Sequence, residues 1–477
     1  MKDINWKISA LVALFFCISP QIQTQTVSTA ADLPRPNPAQ LAWHDTEFYL
    51  FFHFGPNTFT NLEWGHGTET EEVFHPAALD CDQWCRVAKQ AGARGVVVTA
   101  KHHDGFCLWP SKYSTHTVRE SPWKNGKGDV LRELSDACRR HGLKFGVYLS
   151  PWDRNHPQYG TPEYNDVYAN TLTELLTGYG DLFEVWWDGA NGEGPNGKKQ
   201  EYDFHRFEKL VALHQPNAII FSDIGPGCRW AGNEQGTVNE TNWCTLDTAG
   251  FGRGLTAPPT DTLQRGNENG AHWIPAECDV SIRPGWFYHP EEDGKVKTPE
   301  QLFDIYLKSV GRGANLILNV PPDRRGRIHE QDSTALVAFG KKLRSALHRN
   351  LAKGKKLKPE FQTSALDPTR QLHRITDNES YVWSETGTFV LDLRCKKRFN
   401  TVVLQEYLNE GQRIRAFKVE IWQQGAWKEI ANSTTIGHKK ILTFPEAKAR
   451  KLRITILQTK MAPLLKDLQV YRVALKP

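Results

Sequence analysis

From Leu41 to Ala346 the 477-residue chain alternates short β-rich runs with amphipathic helical segments, and this alternation leaves few folds open to it. The runs are FYLFFHFG (48–55), GVVVTAKHHDG (95–105), KFGVYLSPWD (144–153), FEVWWDG (183–189), AIIFSDIG (218–225) and ANLILNV (314–320). They are almost continuously apolar, as suits strands covered on both faces, so a parallel α/β arrangement is expected. The segments between them carry helix signals. In DVLRELSDACRRHG, residues Val130, Leu131, Leu134, Ala137 and Cys138 share one face, and Gly142 follows as a stop. Near Thr298, a proline at the first turn and Gln301 three residues after the threonine predict a capped helix start.

Such units can form an open doubly wound sheet or a closed barrel. The runs end in polar or reactive residues: His53; His102, His103 and Asp104; Trp152 and Asp153; Asp188; Asp223. A barrel brings all its strand C-termini to one mouth, whereas an open sheet concentrates them at one crevice. So many chemical strand ends predict an α/β fold with an irregular (β/α)8-like barrel over residues 31–348. The irregularity falls between Pro226 and Glu291, where the helical pattern is weak and long loops are expected over the mouth. Lys353, Lys355, Lys356 and Lys358 mark a linker at 349–359. Beyond it, Phe417, Val419 and Ile421 alternate with Lys418 and Glu420, and Leu452, Ile454 and Ile456 repeat the scheme. Residues 360–477 are therefore expected to form a C-terminal antiparallel β-sandwich.

At the N-terminus, Lys2 and Lys7 accompany the apolar run Ile8–Ile18, which is too short to span a bilayer. With Ser28–Ala30 as one cleavage candidate, residues 1–30 read as a signal peptide and the protein as exported, periplasmic or secreted. Cys17 raises a lipid anchor, but the bulky Phe15 and Phe16 before it weigh against one. A net charge of +5 without a basic stripe argues against nucleic acid or a membrane surface as partner. The other eight cysteines show no disulfide framework, and Cys81 and Cys85 lack a second close pair to complete a zinc site; buried free thiols are expected.

Asp188, in EVWWDGANGEG, follows a strand and enters a Gly/Asn-rich loop, which puts its carboxyl at the mouth of a barrel. Capping of a following helix is the competing reading. His102 and His103 are adjacent, so their rings diverge; they suit hydrogen bonds to two hydroxyls better than joint ligation of one ion. A glycosidase needs a second carboxyl, at about 5–5.5 Å from the first in a retaining enzyme. Glu193, Glu234, Glu240 and Glu277 follow Asp188 in the chain, Glu234 on a Gly-flanked loop after the fifth strand, and spacing alone does not choose among them.

Taken in order, HFG (53–55), LEWG (62–65), KHHDGF (101–106), GVYLSPW (146–152), WWDG (186–189) and IRPGWFYH (282–289) resemble the family 29 α-L-fucosidases over about residues 35–345. The resemblance implies a retaining exo-glycosidase that releases terminal α-L-fucose through a covalent fucosyl-enzyme, with Asp188 as nucleophile. It implies that His53, Glu63, Trp64, His102, His103, Tyr148, Trp186, Arg229 and Trp286 contact the sugar, with no metal or organic cofactor. GNE (232–234), WWDGANGEG and AECDVSIRPGW are similar to the subgroup acting on α-1,3/1,4-linked fucose of branched, Lewis-type glycans, which favours Glu234 over Glu277 as acid/base. Fucosylated oligosaccharides or glycoconjugates are the partners implied. The C-terminal pattern resembles discoidin-like carbohydrate-binding modules, with a structural role as the alternative. A broad-specificity α-L-fucosidase and a non-catalytic secreted fucose-binding protein are the competing functions.

Overall fold

Eight parallel strands close into a barrel in the order of the sequence: β1 Phe48–Phe52, β2 Gly95–Lys101, β3 Lys144–Leu149, β4 Leu182–Trp186, β5 Ile219–Ser222, β6 Cys228–Trp230, β7 Ala276–Ser281 and β8 Asn315–Asn319. Closure is completed by β8 pairing with β1, Leu316 beside Phe48 and Leu318 beside Leu50. This computed structural model describes residues 33–360, 381–384 and 386–474. The expected signal peptide, its cleavage site and Cys17 lie outside the described residues, as does the stretch 361–380.

Helices cover the barrel where the sequence carried their signals. Val130–His141 is capped by the Asp129 side chain and stops at Gly142, whose φ of 63° is the left-handed conformation glycine tolerates. Pro299–Lys308 opens with the full capping box between Thr298 and Gln301. Between β5 and β6 no helix intervenes, and only the six-residue Thr260–Arg265 lies between β6 and β7. That is the irregular quarter anticipated between Pro226 and Glu291. Its two strands escaped prediction: β6 has three residues, and β7 (AECDVS) carries two carboxyls that break the apolar run.

Inside the barrel, Tyr49, Phe51, Val97, Tyr148, Trp186, Phe221, Cys228 and Ile317 form a core separate from the larger one between strands and helices. Because side chains alternate across a strand, every second residue enters this inner stack, which fills the barrel in layers.

After Glu330–Ala346 the described residues build an antiparallel assembly of seven strands: β9 Leu357–Pro359, β10 Val382–Trp383, β11 Thr388–Glu406, β12 Ile414–Gln423, β13 Ala426–Ser433, β14 Lys440–Thr459 and β15 Leu464–Tyr471. The strand order is β10-β15-β11-β14-β12-β13, with β9 added along β11. Phe417, Val419, Ile421, Leu452, Ile454 and Ile456 are all buried in its core, as their alternation requires. Two details differ from the sequence reading. The end of the Lys-rich stretch is strand rather than linker, since Leu357–Pro359 pair with Phe389–Leu391. Glu420, expected to face out, is buried because Arg453, Thr455 and Lys418 all bond its carboxylate.

Candidate active site

The strands end just short of the residues flagged for chemistry. His53 follows β1, His102 and His103 follow β2, Asp188 lies two residues past β4, and Asp223 follows β5. Free of the hydrogen-bonded ladder, these residues ring the C-terminal mouth of the barrel. Two cavities open there. One, of about 210 Å³, is lined by Phe51, His53, Glu63, Trp64, His102, His103, Tyr148, Trp186, Asp188, Ala190, Glu234, Asp279 and Trp286. The other, of about 480 Å³, shares Trp186, Asp188, Ala190, Glu234 and Asp279, and adds Asn191, Lys199, Asp223, Trp230 and the 254–257 loop.

His53 and His103 are held by partners that fix their tautomers. Asn319, at the end of β8, sends its amide nitrogen to Ser281 Oγ and the Trp286 carbonyl, so its Oδ1 accepts from His53 Nδ1 at 2.9 Å. Ser150 spends its hydroxyl proton on the Trp152 carbonyl, so its oxygen accepts from His103 Nδ1 at 2.7 Å. Both imidazoles then keep Nε2 as a bare acceptor. Burial lowers the pKa of His53 to about 3 and of His103 to about 4, and drives His102 well below its ordinary value. All three are neutral rings near neutral pH, suited to hydroxyls.

Asp188 Oδ2 accepts from the Tyr148 hydroxyl at 3.0 Å and lies 3.7 Å from His103 Nε2; Oδ1 accepts from the Ala190 amide at 2.8 Å. Its side chain is 26% exposed, so one edge is open to the cavity. That short Ala190 contact is a turn within the loop; the helix-capping role falls to Asp203 at Phe204–His214.

Of the four acid candidates, only Glu234 lines the cavities, and it lines both. It is exposed on the loop after β6, and Trp286 Nε1 donates to its Oε2 at 3.1 Å. Glu193 is exposed outside both cavities, and Glu240 bonds Ser433 Oγ of the C-terminal domain at 2.6 Å. Glu277 is fully buried inside the barrel, below the mouth, bonded by Tyr49 Oη and by Trp186 Nε1.

Glu63 reaches the smaller cavity but spends both oxygens on the 286–289 loop, accepting from the Trp286 and Phe287 amides and from His289 Nε2. It thereby holds Trp286 in place. Trp64 stands 55% exposed at the rim, its edge toward His103 and Trp152. Arg229 does not reach either cavity. Cys228 and Trp230, its neighbours on β6, take the inward positions, and alternation sends Arg229 outward. There its guanidinium is enclosed by the carbonyls of Leu263, Ile274 and Trp243 and by Asn242 Oδ1.

Sequence reading missed Asp279, Trp230 and the supporting Asn319 and Ser150. Asp279 is buried, accepts from Trp230 Nε1 at 2.9 Å, and is held well above the usual carboxyl range by burial and by Glu234 nearby. The period-two polar set Glu277, Asp279, Ser281 was the available signal for an inward face on β7. Asp223, noted only as a strand end, is raised to about 6 by burial and by Asp188.

A (β/α)8 barrel whose mouth gathers carboxyls, neutral histidines and indoles around a small pocket defines a carbohydrate-active hydrolase class. Comparison with known proteins narrows this. The sequence model described as "Alpha-L-fucosidase" matches residues 57–346, and that of the F5/8 type C domain matches 362–465. Alpha-L-fucosidase 1 of Arabidopsis thaliana is 39% identical over 97% of this chain and 94% of its own length. A putative alpha-L-fucosidase 1 of Oryza sativa is 42% identical over 92% of this chain and 85% of its own. Among solved structures, a putative alpha-L-fucosidase from Bacteroides thetaiotaomicron superposes with a TM-score of 0.82 at 37% identity, covering 94% of this chain and 99% of that one. A Ruminococcus gnavus family 29 fucosidase solved with fucose gives 0.80 at 30% identity, covering 94% and 97%. The chain belongs to the α-L-fucosidase family, glycoside hydrolase family 29, and is a glycoside hydrolase of α-L-fucosidase type.

Proposed function

We propose that the enzyme is exported and removes terminal α-L-fucose with retention of configuration, Asp188 attacking the anomeric carbon and Glu234 serving as acid and then base. The fucosyl unit occupies the smaller cavity, where neutral His53, His102 and His103 accept from its hydroxyls and Trp64, Trp186 and Trp286 take its apolar faces. The observation that carries this reading is that Asp188 and Glu234 both line the wall shared by the two cavities, where a glycosidic bond joining fucose to an acceptor would lie. In the first half of the reaction Glu234 protonates the leaving oxygen as Asp188 forms the fucosyl ester; in the second, Glu234 activates water and the ester is hydrolysed.

The linkage preference extends the same proposal. A cavity of about 480 Å³ next to the fucose pocket is roomier than a simple alcohol needs, and supports α-1,3/1,4-fucose on a branched, Lewis-type acceptor. Comparing kcat/KM on Lewis trisaccharides, an α-1,2-fucosylated lactose and an aryl fucoside tests it. Equal or better turnover of the last two would discard the branched preference while leaving the fucosidase chemistry untouched.

A further inference from the structure

Glu277 is a buried carboxyl that the chemistry above does not use, yet it touches the wall of the active site. Trp186, the last residue of β4, lines both cavities. Its ring is stacked on Phe221 at a centroid distance of 3.9 Å and 8° and lies near-parallel to Tyr148 at 5.2 Å and 27°. Stacked faces resist tilting but leave an indole free to slide and turn in its own plane. The restraint in that plane is the 2.9 Å hydrogen bond from Trp186 Nε1 to Glu277 Oε1.

Glu277 is itself immobilised. Its Oε2 accepts from Tyr49 Oη, which in turn accepts from Trp43 Nε1 at 3.0 Å. A carboxylate oxygen of Glu184, Cys228 Sγ and a carboxylate oxygen of Glu277 lie within 4.8 Å of one another inside the barrel. Two carboxyls so close and so buried cannot both ionise. Burial raises both carboxyls, and Glu277 beside it raises Glu184 further, so the pair shares a proton while Glu277 keeps an oxygen for the indole. With its other oxygen fixed by Tyr49, the Glu277 carboxyl presents Oε1 to the indole in one defined place. The consequence reaches the nucleophile, because Tyr148, packed on the other face of Trp186, donates to Asp188 Oδ2 at 3.0 Å.

We propose that Glu277 is a positioning residue: by anchoring the Trp186 N–H it sets the wall against which the fucosyl ring flattens, and through Tyr148 it sets the bearing of Asp188. The proposal rests on the reading of Trp186 and Asp188 as fucose-site residues. Displacement of reacting groups by about 1 Å can cost on the order of a hundredfold in rate.

The full-length enzyme is assayed with an aryl α-L-fucoside as Glu277→Gln and Glu277→Leu, alongside a fucose-configured iminosugar as a probe of transition-state binding. Gln keeps an amide oxygen for the indole, so kcat should stay within about threefold of wild type. Leu removes the acceptor, so kcat should fall by roughly thirtyfold or more with KM little changed, and iminosugar affinity should fall with kcat. A merely structural role would lower Tm while leaving kcat per folded molecule and iminosugar affinity alone, and that result overturns the proposal. So does a Gln variant as impaired as Leu. If the Leu variant does not fold, Trp186→Phe keeps a stacked ring without the N–H; its kcat should fall similarly, and wild-type kcat there also overturns the proposal. Asp188→Ala is run in parallel: activity surviving in it would sink the nucleophile reading, an outcome distinct from the Glu277 comparisons.

Discussion

The hydroxyl of Tyr148 donates to Asp188 Oδ2 across 3.0 Å, so β3 and β4 meet at the carboxylate assigned to attack the sugar. The bond aims the carboxylate without neutralising it, and the Ala190 amide holds its other oxygen. Asp188→Ala should therefore lose at least about a thousandfold in kcat while fucose still binds. Added azide should restore turnover and yield a β-fucosyl azide, identified by NMR. Near-normal hydrolysis by the variant without azide would remove Asp188 as nucleophile.

Glu234 stands at the junction of the two cavities with the Trp286 indole on one oxygen. Glu234→Ala should slow substrates with poor leaving groups far more than those with good ones, by on the order of a hundredfold or more for oligosaccharides. A leaving-group series measured on the variant checks this, and uniform loss across the series contradicts the role.

His103 is buried and its folded pKa of about 4 lies below the ordinary 6.5. The unfolded chain therefore binds the extra proton first, and His103 contributes stability that is present above pH 6.5 and lost as pH falls toward 4. The shift corresponds to about 3 kcal/mol at most. Asp104 and Asp223, raised to about 6, act in the opposite sense between their ordinary range and 6, so wild type alone blends both signs. His103→Gln keeps those carboxyls. Urea unfolding from pH 4 to 7 should show a shallower rise of stability with pH in the variant than in wild type; parallel curves would contradict the assignment.

Arg283 and Asp332 form a fully buried ion pair, with Nε at 2.8 and 3.0 Å from the two carboxylate oxygens. Arg283 also bonds the His289 carbonyl and Asp293, and so ties the loop bearing Trp286 to the Glu330–Ala346 helix. Asp332→Ala takes away the fully buried partner and leaves the guanidinium only Asp293, whose side chain is 30% exposed, so the variant should lose about 3 kcal/mol at most. Calorimetry should show a lower Tm, and loss of Trp286 placement should raise KM in the protein that remains folded. An unchanged Tm would show that the pair is dispensable.

Much of this protein is legible residue by residue. Apolar runs such as GVVVTAK mark doubly covered strands, and the Asp129 and Thr298 caps with Gly142 mark helix ends, because these signals are local. His53, His102, His103 and Asp188 were legible as strand-end residues for the same reason. Strands β6 and β7 were not. Three residues carry no period, and the carboxyls of AECDVS look like surface to any local reading although Glu277 and Asp279 are buried inside the barrel.

What the chain could not settle by itself is which way a side chain faces once strands close and which groups meet across long separations. Arg229 read as a sugar contact, and a one-residue alternation turned it away from the mouth. Spacing alone did not choose between Glu234, which the resemblance favoured, and Glu277; closure put one between two cavities and the other beneath Trp186. Composition and period decide secondary structure and fold class because those energies act over a few residues. Burial, charge state and reach to the sugar are decided only by packing, which joins Tyr49 to Glu277 and Glu63 to His289 across more than two hundred residues of chain.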